Sequence, residues 1–226
     1  MPDLVIYDCD GTLIDTETLY GEVSLAACHA LGLTSWTIDH YVDSIVGIPW
    51  SDGVKIIEAA HGRALPADFE QTIEDAVALR LESELRALPG VREALDAIGG
   101  RRCVASSTSL DPLRRNLAIT GLIDLFDPHI FSASQVARGK PYPDVFLHAA
   151  AQMDVPPQAC LVIEDSVPGV RAARAAGMRV VGFTGVSHDR PRSAARLAEA
   201  GALSVIDDFS QWPALVAGLR AESPSA

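Results

Sequence analysis

The chain has 226 residues, of which 48% are hydrophobic and 21% charged, and a formal net charge of -12. This profile excludes intrinsic disorder and collagen, and it offers enough apolar surface for a full core without disulfide or metal staples. The acidic balance argues against a nucleic-acid or anionic-membrane partner, because both require basic patches.

Leu4-Val5-Ile6-Tyr7 is a short apolar run that breaks into Asp8-Cys9-Asp10-Gly11-Thr12, a buried strand followed by a turn carrying two carboxylates. From Thr16 to Ala87 helical periodicity takes over. Leu19, Val23, Ala26, Ala27 and Ala30 share one helical face, and Ile73, Ala76, Val77, Leu81 and Leu85 make a second stripe. Between them, Tyr41 to Val46 and Val54 to Ala60 read as short helices separated by Gly47-Ile48-Pro49.

After Leu88-Pro89-Gly90 strands and helices alternate. The spacing predicts a helix over 91–98, a strand over 102–106, a helix over 112–118 and a short strand over 129–131. A helix over 143–153, a strand over 160–163, a helix over 167–176 and a strand over 178–182 follow. A weaker strand over 204–206 and a last helix near 209–219 complete the pattern. Alternation of this kind predicts an α/β fold, a doubly wound parallel sheet of Rossmann-like type with helices on both faces. Residues 1–15 and 88–226 would form this core. Residues 16–87 would be an all-helical insertion after the first strand, a cap hinged near Leu13–Thr16 and Ala87–Gly90. No internal repeat is visible, and the tail 222–226 reads as disordered.

Cys9, Cys28, Cys103 and Cys160 form no Cys-x-x-Cys pair, no apolar run is long enough to span a bilayer, and Met1 leads straight into an apolar strand. A cytoplasmic protein without a signal peptide is expected, its cysteines buried as small hydrophobes.

Ligands of open parallel sheets bind at the carboxyl ends of the strands, so the residues just after each apolar run are the informative ones. They are Asp8 and Asp10, Ser106 and Ser107, Lys140 before a helix, and Glu164 and Asp165. Carboxylates, hydroxyls and one lysine are the inventory of metal-assisted phosphoryl transfer: oxygen ligands for a hard cation, donors for phosphate oxygens and a carboxylate nucleophile. Each has a plainer explanation when taken alone. Asp before Gly is ordinary turn chemistry, Ser106-Ser107-Thr108 suits a helix-entry loop, and Glu164-Asp165-Ser166 suits an acidic helix start. Only Lys55 and Lys140 are lysine among the 18 basic residues, which fits a role for Lys140 as a compact point charge. His188-Asp189 lacks a Gly-x-Ser-x-Gly partner and reads as a solvated loop, and the histidines show no zinc-ligand spacing.

Asp8-Cys9-Asp10-Gly11-Thr12-Leu13-Ile14-Asp15-Thr16 resembles the first motif of the haloacid dehalogenase superfamily. Val104-Ala105-Ser106-Ser107-Thr108, Gly139-Lys140-Pro141-Tyr142-Pro143-Asp144 and Val162-Ile163-Glu164-Asp165-Ser166 with Gly169 resemble its second, third and fourth motifs, in order. The resemblance implies that Asp8 attacks phosphorus to form an aspartyl-phosphate, and that Asp10 protonates the leaving alkoxide and later activates water. It implies Mg²⁺ held by Asp8, the Asp10 carbonyl and Asp165, with Glu164 as a direct or water-mediated partner. Ser106 and Lys140 would bind the phosphoryl group, with backbone N–H groups from Cys9 to Gly11 and at Ser107 completing the cradle. Tyr20 and Trp50 of the insertion are candidate substrate contacts; Lys55 and Arg80 are weaker ones.

Within the superfamily the insertion resembles the helical-cap subgroup of β-phosphoglucomutase and sugar-phosphate phosphatases, nearest to bacterial 6-phosphogluconate phosphatase-like proteins. The implied activity is Mg²⁺-dependent hydrolysis of a small sugar, sugar-acid or polyol phosphate; a monomer is the default expectation. A phosphomutase is the alternative, although Tyr20 replaces that pattern's histidine and Ile48-Pro49-Trp50-Ser51 offers no arginine for a distal phosphate. A silent phospho-ligand sensor on the same scaffold is a third reading. Dehalogenation is disfavoured, since dehalogenases of the family are not expected to carry a second aspartate such as Asp10.

Overall fold

The computed structural model describes residues 2–45 and 50–221. The chain divides into two compact units, one of Met1–Asp15 with Arg86–Ala226 and one of Thr16–Leu85. The division falls two residues before the expected boundary, because the Asp15 N–H donates to the Arg86 carbonyl at 3.1 Å and Ile14 bridges to Ala87, tying both flanks of the insertion to the first unit.

In the first unit, the strands β1 (Leu4–Tyr7), β2 (Arg102–Ser106), β3 (Ile130–Ser132), β4 (Cys160–Glu164), β5 (Arg179–Phe183) and β6 (Val205–Ile206) form one parallel sheet of order β3-β2-β1-β4-β5-β6. The central strands are buried on both faces, which is why they read as unbroken apolar runs rather than alternating ones. On one face Leu4, Ile6, Cys103, Ala105, Val162 and Val180 pack against Val145, Phe146, Ala149 and Val170. On the other, Tyr7 meets the rings of Phe126 and Trp212 edge-on at 5.7 and 6.3 Å, and the buried Trp212 Nε1–H donates to the Tyr7 hydroxyl at 3.1 Å.

The second unit holds α1 (Thr16–Ala30), α2 (Ile38–Ile45), α3 (Trp50–His61) and α4 (Phe69–Glu84), with α1 packed on α4. In α4 the stripe Ile73, Val77 and Leu81 is buried as its spacing predicts. In α1 the buried face is Leu19, Val23, Ser24 and Cys28, so Ala26 and Ala30, expected inside, are exposed. Small alanines carry little hydrophobic drive, and the larger Leu, Val and Cys side chains set the rotation. Val46, at the end of the second predicted helix, and Gly47-Ile48-Pro49 lie outside the described residues, as does the tail 222–226.

The helices of the first unit are α5 (Val91–Ile98), α6 (Leu110–Ile119), α7 (Ile123–Phe126), α8 (Asp144–Gln152), α9 (Val167–Ala175), α10 (Arg190–Ala200) and α11 (Trp212–Ala221). Helix α6 starts two residues before Pro112, whose missing N–H falls within the first turn where no intrahelical acceptor is available. The segment around His188-Asp189, expected as loop, leads directly into α10. The Asp189 side chain accepts from Arg192 N–H as its N-cap, and Leu197 is the helix's one buried residue. None of the described helices is long and apolar enough to cross a membrane.

Candidate active site

Asp8 follows β1 at the centre of the sheet, where its N–H continues the ladder to the Ile163 carbonyl at 3.0 Å. The next turn is built on the Cys9 carbonyl, which accepts from Leu13 and Ile14 N–H at 2.7 and 3.1 Å. Gly11 closes this turn in the left-handed region, φ 74°. Its N–H donates to the Ile14 carbonyl at 2.9 Å, which closes the turn beside Asp8. Cys9 itself is buried; burial, and then the nearby Asp10 and Asp8, push its thiol well above the ordinary range. Ser107, by contrast, is exposed on the loop after β2.

Three buried charges meet beside that turn. Lys140 Nζ lies 2.5 Å from Asp8 Oδ1 and 2.8 Å from Glu164 Oε1, with side-chain exposures of 5% for Lys140, 8% for Asp8 and 1% for Glu164. Its ammonium is also 5.1 Å from the centre of the Phe146 ring. Burial works against the Lys140 charge, but the Asp8 and Glu164 carboxylates outweigh it and hold the group above the normal lysine range. Burial pushes the Asp8 carboxyl up to about 7; Lys140 pulls against this shift, while Glu164 and then Asp10 add to it.

Glu164 ends β4 and braces two elements. Its Oε1 accepts from Lys140, while Oε2 accepts from Ser166 N–H at 2.6 Å. Ser166 in turn caps α9, its hydroxyl accepting from Gly169 N–H at 3.0 Å. Glycine at 169 is required by this packing, since a Cβ there would lie 1.6 Å from Glu164 Oε1.

Asp10 is held by β2. Its Oδ2 accepts from Thr108 Oγ1 at 2.7 Å and from Ser106 Oγ at 3.3 Å, and Ser106 Oγ itself accepts from Thr108 N–H at 3.0 Å. Asp165 Oδ1 accepts from Thr12 Oγ1 at 3.3 Å. Thr108 and Thr12 thus orient two carboxylates, a role the sequence reading missed although both lie inside the quoted motifs. The only signal for it was a hydroxyl residue two positions from Ser106 or from Asp10.

One carboxylate oxygen from each of Asp8, Glu164 and Asp165 lies within 4.8 Å of the others. Like charges near 4 Å repel by about 4 kcal/mol at the effective dielectric of a protein site, and one ammonium does not balance the group. Hard oxygen donors so arranged fit a divalent cation. Tyr20 and Trp50 belong to the other unit, where the Tyr20 hydroxyl donates to Glu74 at 3.0 Å and Trp50 is half-buried at the start of α3. There, too, exposed Lys55 pairs with Asp52 at 2.7 Å and Arg80 with Glu22 and Glu84 at 2.7 and 2.5 Å.

The chain is similar to proteins of known name. The chain is 28% identical over 190 residues to 6-phosphogluconate phosphatase of Escherichia coli, covering 84% of this chain and 86% of that one. It is 33% identical over 208 residues to a phosphorylated carbohydrates phosphatase of Thermotoga maritima, covering 90% and 94%. A HAD family hydrolase of Deinococcus radiodurans, solved with bound phosphate and sodium, superposes with a TM-score of 0.86 at 29% identity over 99% of this chain and 98% of that one. The family model for haloacid dehalogenase-like hydrolases matches residues 2–177, a span that includes every charged group of the site, and the chain belongs to that family.

Proposed function

We propose that the protein is a Mg²⁺-dependent phosphatase of small phosphorylated sugars, sugar acids or polyols, acting through an aspartyl-phosphate on Asp8. The observation that carries this reading is the buried Asp8–Lys140–Glu164 cluster, with Asp10 held two residues away by Thr108 and Ser106. The relatives named for phosphatase activity on 6-phosphogluconate and phosphorylated carbohydrates support the substrate class.

A divalent cation held by Asp8 and Asp165, with Glu164 beside them, would offset the charge of an approaching phosphate dianion. The remaining work falls to the chain's own groups. Lys140 keeps one Asp8 oxygen fixed by a charge-assisted hydrogen bond, leaving the other to approach phosphorus. Ser106 and Lys140 donate to phosphoryl oxygens. Asp10 delivers a proton to the leaving alkoxide oxygen and afterwards takes one from the water that attacks the aspartyl-phosphate, which releases inorganic phosphate and regenerates Asp8. The helical insertion is proposed to act as the cap and to set substrate choice through Tyr20 and Trp50. Four buried, unpaired cysteines suit a reducing cytoplasm, and a monomer is the proposed state.

A phosphate-ester panel with Mg²⁺ tests the reading. The wild-type protein releases inorganic phosphate from hexose, sugar-acid or hexitol phosphates, and Asp8→Asn abolishes turnover with the fold intact by circular dichroism. Turnover retained in Asp8→Asn would sink the mechanism. Glucose 6-phosphate formed from β-glucose 1-phosphate and a trace of bisphosphate, in place of inorganic phosphate, would make the protein a phosphomutase.

A further inference from the structure

Strand β3 brings a further buried hydroxyl to the carboxyl edge of the sheet. Ser132 ends the strand in register with Ser106 of β2, and it is fully buried. Its hydroxyl donates to the Thr108 carbonyl at 2.6 Å. A carbonyl can only accept, so the single Ser132 proton is committed there. The same oxygen accepts from the Ser134 N–H at 3.1 Å and from the Ser134 hydroxyl at 2.9 Å. Gln135 Oε1 completes the turn by accepting from the Ser132 N–H at 2.7 Å. One donor and two acceptor positions are all that a serine hydroxyl has, and each is filled.

Thr108 is the residue this arrangement holds. It lies two residues past the end of β2, between Ser107 and Ser109, both exposed, and Ser109 makes no side-chain cap on α6. The backbone of Thr108 is pinned on both sides instead: its N–H donates to Ser106 Oγ at 3.0 Å, and its carbonyl accepts from Ser132. With the backbone so fixed, the Thr108 hydroxyl donates to Asp10 Oδ2 at 2.7 Å. Two hydrogen bonds thus link β3 to the carboxylate that follows β1.

We propose that Ser132 is a positioning residue for Asp10, acting through Thr108, a role that rests on the proposed reading of Asp10 as proton donor to the leaving alkoxide. A proton donor works only within hydrogen-bond reach of the oxygen it serves. Without the Ser132 hydroxyl the Thr108 carbonyl loses its partner, the loop turns toward water, and Asp10 is no longer held in one orientation. The loss falls on reactions that need the proton. A sugar alkoxide must be protonated as it departs, whereas the weakly basic p-nitrophenolate leaves without one.

The test compares kcat/KM, which covers the steps up to departure of the leaving group, for p-nitrophenyl phosphate and for the sugar phosphate that the wild-type protein turns over fastest, both with Mg²⁺. Ser132→Ala is expected to lower it about fivefold or more on the sugar phosphate and less than about twofold on p-nitrophenyl phosphate. A merely weakened fold lowers both alike. Ser132→Thr, which keeps the hydroxyl, should restore most of the sugar-phosphate value. Gln135→Ala, which opens the turn but leaves the bond from Ser132 to Thr108, should show no such split. Should Ser132→Ala not fold, Ser132→Cys, similar in shape but a weak donor, carries the same expectation. Asp10→Asn separates the two readings. If it splits the two esters while the Ser132 variant lowers them equally, or if Gln135→Ala splits them as strongly as the Ser132 variant, the role of Ser132 is overturned. If Asp10→Asn itself shows no split, the acid assignment fails and the role of Ser132 with it.

Discussion

Gly169→Ala isolates the brace behind Lys140. In an open helical position this exchange gains roughly 1 kcal/mol from helix propensity. Here the new Cβ would lie 1.6, 1.9 and 2.4 Å from Glu164 Oε1, Cδ and Oε2, all far inside contact distance. Glu164 is 1% exposed and its carboxylate must swing away, losing both the 2.8 Å bond from Lys140 and the 2.6 Å bond from Ser166 N–H. Charge-assisted bonds of this kind contribute about 1.5–3 kcal/mol each, so the net loss is roughly 3 kcal/mol after the propensity gain. For a chain of this size that lowers Tm by about 6–12 °C. Lys140, released on one side, no longer holds Asp8 in a single orientation, and kcat on a phosphate ester should fall about tenfold or more. Calorimetry and steady-state kinetics on the purified variant check both effects. A Gly169→Ala protein that melts at or above the wild-type temperature with unchanged kcat would refute the brace.

Thr108→Val removes the 2.7 Å bond to Asp10 while keeping the side-chain shape; kcat/KM on a phosphate ester is expected to fall about tenfold, with Tm nearly unchanged. If kcat/KM stays at the wild-type value, Thr108 does not position Asp10. The four cysteines should resist alkylation in the native state. Burial pushes Cys28 and Cys160 up to about 11 and raises Cys103 and Cys9 as well. At pH 8 a thiol with that pKa is about one part in a thousand thiolate, the reactive form. Mass spectrometry after iodoacetamide should find labelling only once urea has opened the fold, and rapid native labelling would contradict the burial.

The strand ends were legible because both faces of β1, β2 and β4 are covered, which forces apolar runs that stop where carboxylates or, at β2, hydroxyls begin. Asp8, Ser106 and Glu164 could therefore be placed at one sheet edge by counting to the end of each run. The interior pairing of the charges was less legible. Nothing in the order Glu164-Asp165 distinguishes the carboxylate that grips Lys140 from the one that meets Thr12, because that choice depends on which side chain faces Gly169. Helix α10 escaped the reading because its apolar positions are mostly alanine and only Leu197 is buried. Its start is set by the Asp189 cap, not by periodicity. In α1 the alanines suggested a face that the bulkier Leu19, Val23 and Cys28 overruled.

The place of β1 at the centre of the sheet also bears on how the chain is made. Its two partners are β2, which begins at Arg102, and β4, which begins at Cys160. Once synthesised, β1 thus waits about 95 residues for one neighbour and about 155 for the other, at loop-closure cost and with an unpaired apolar edge. Meanwhile the packing of α1 on α4 closes within Thr16–Leu85. Synthesis would complete this local helical unit first, while Leu4-Val5-Ile6-Tyr7 stays the segment most in need of protection from aggregation.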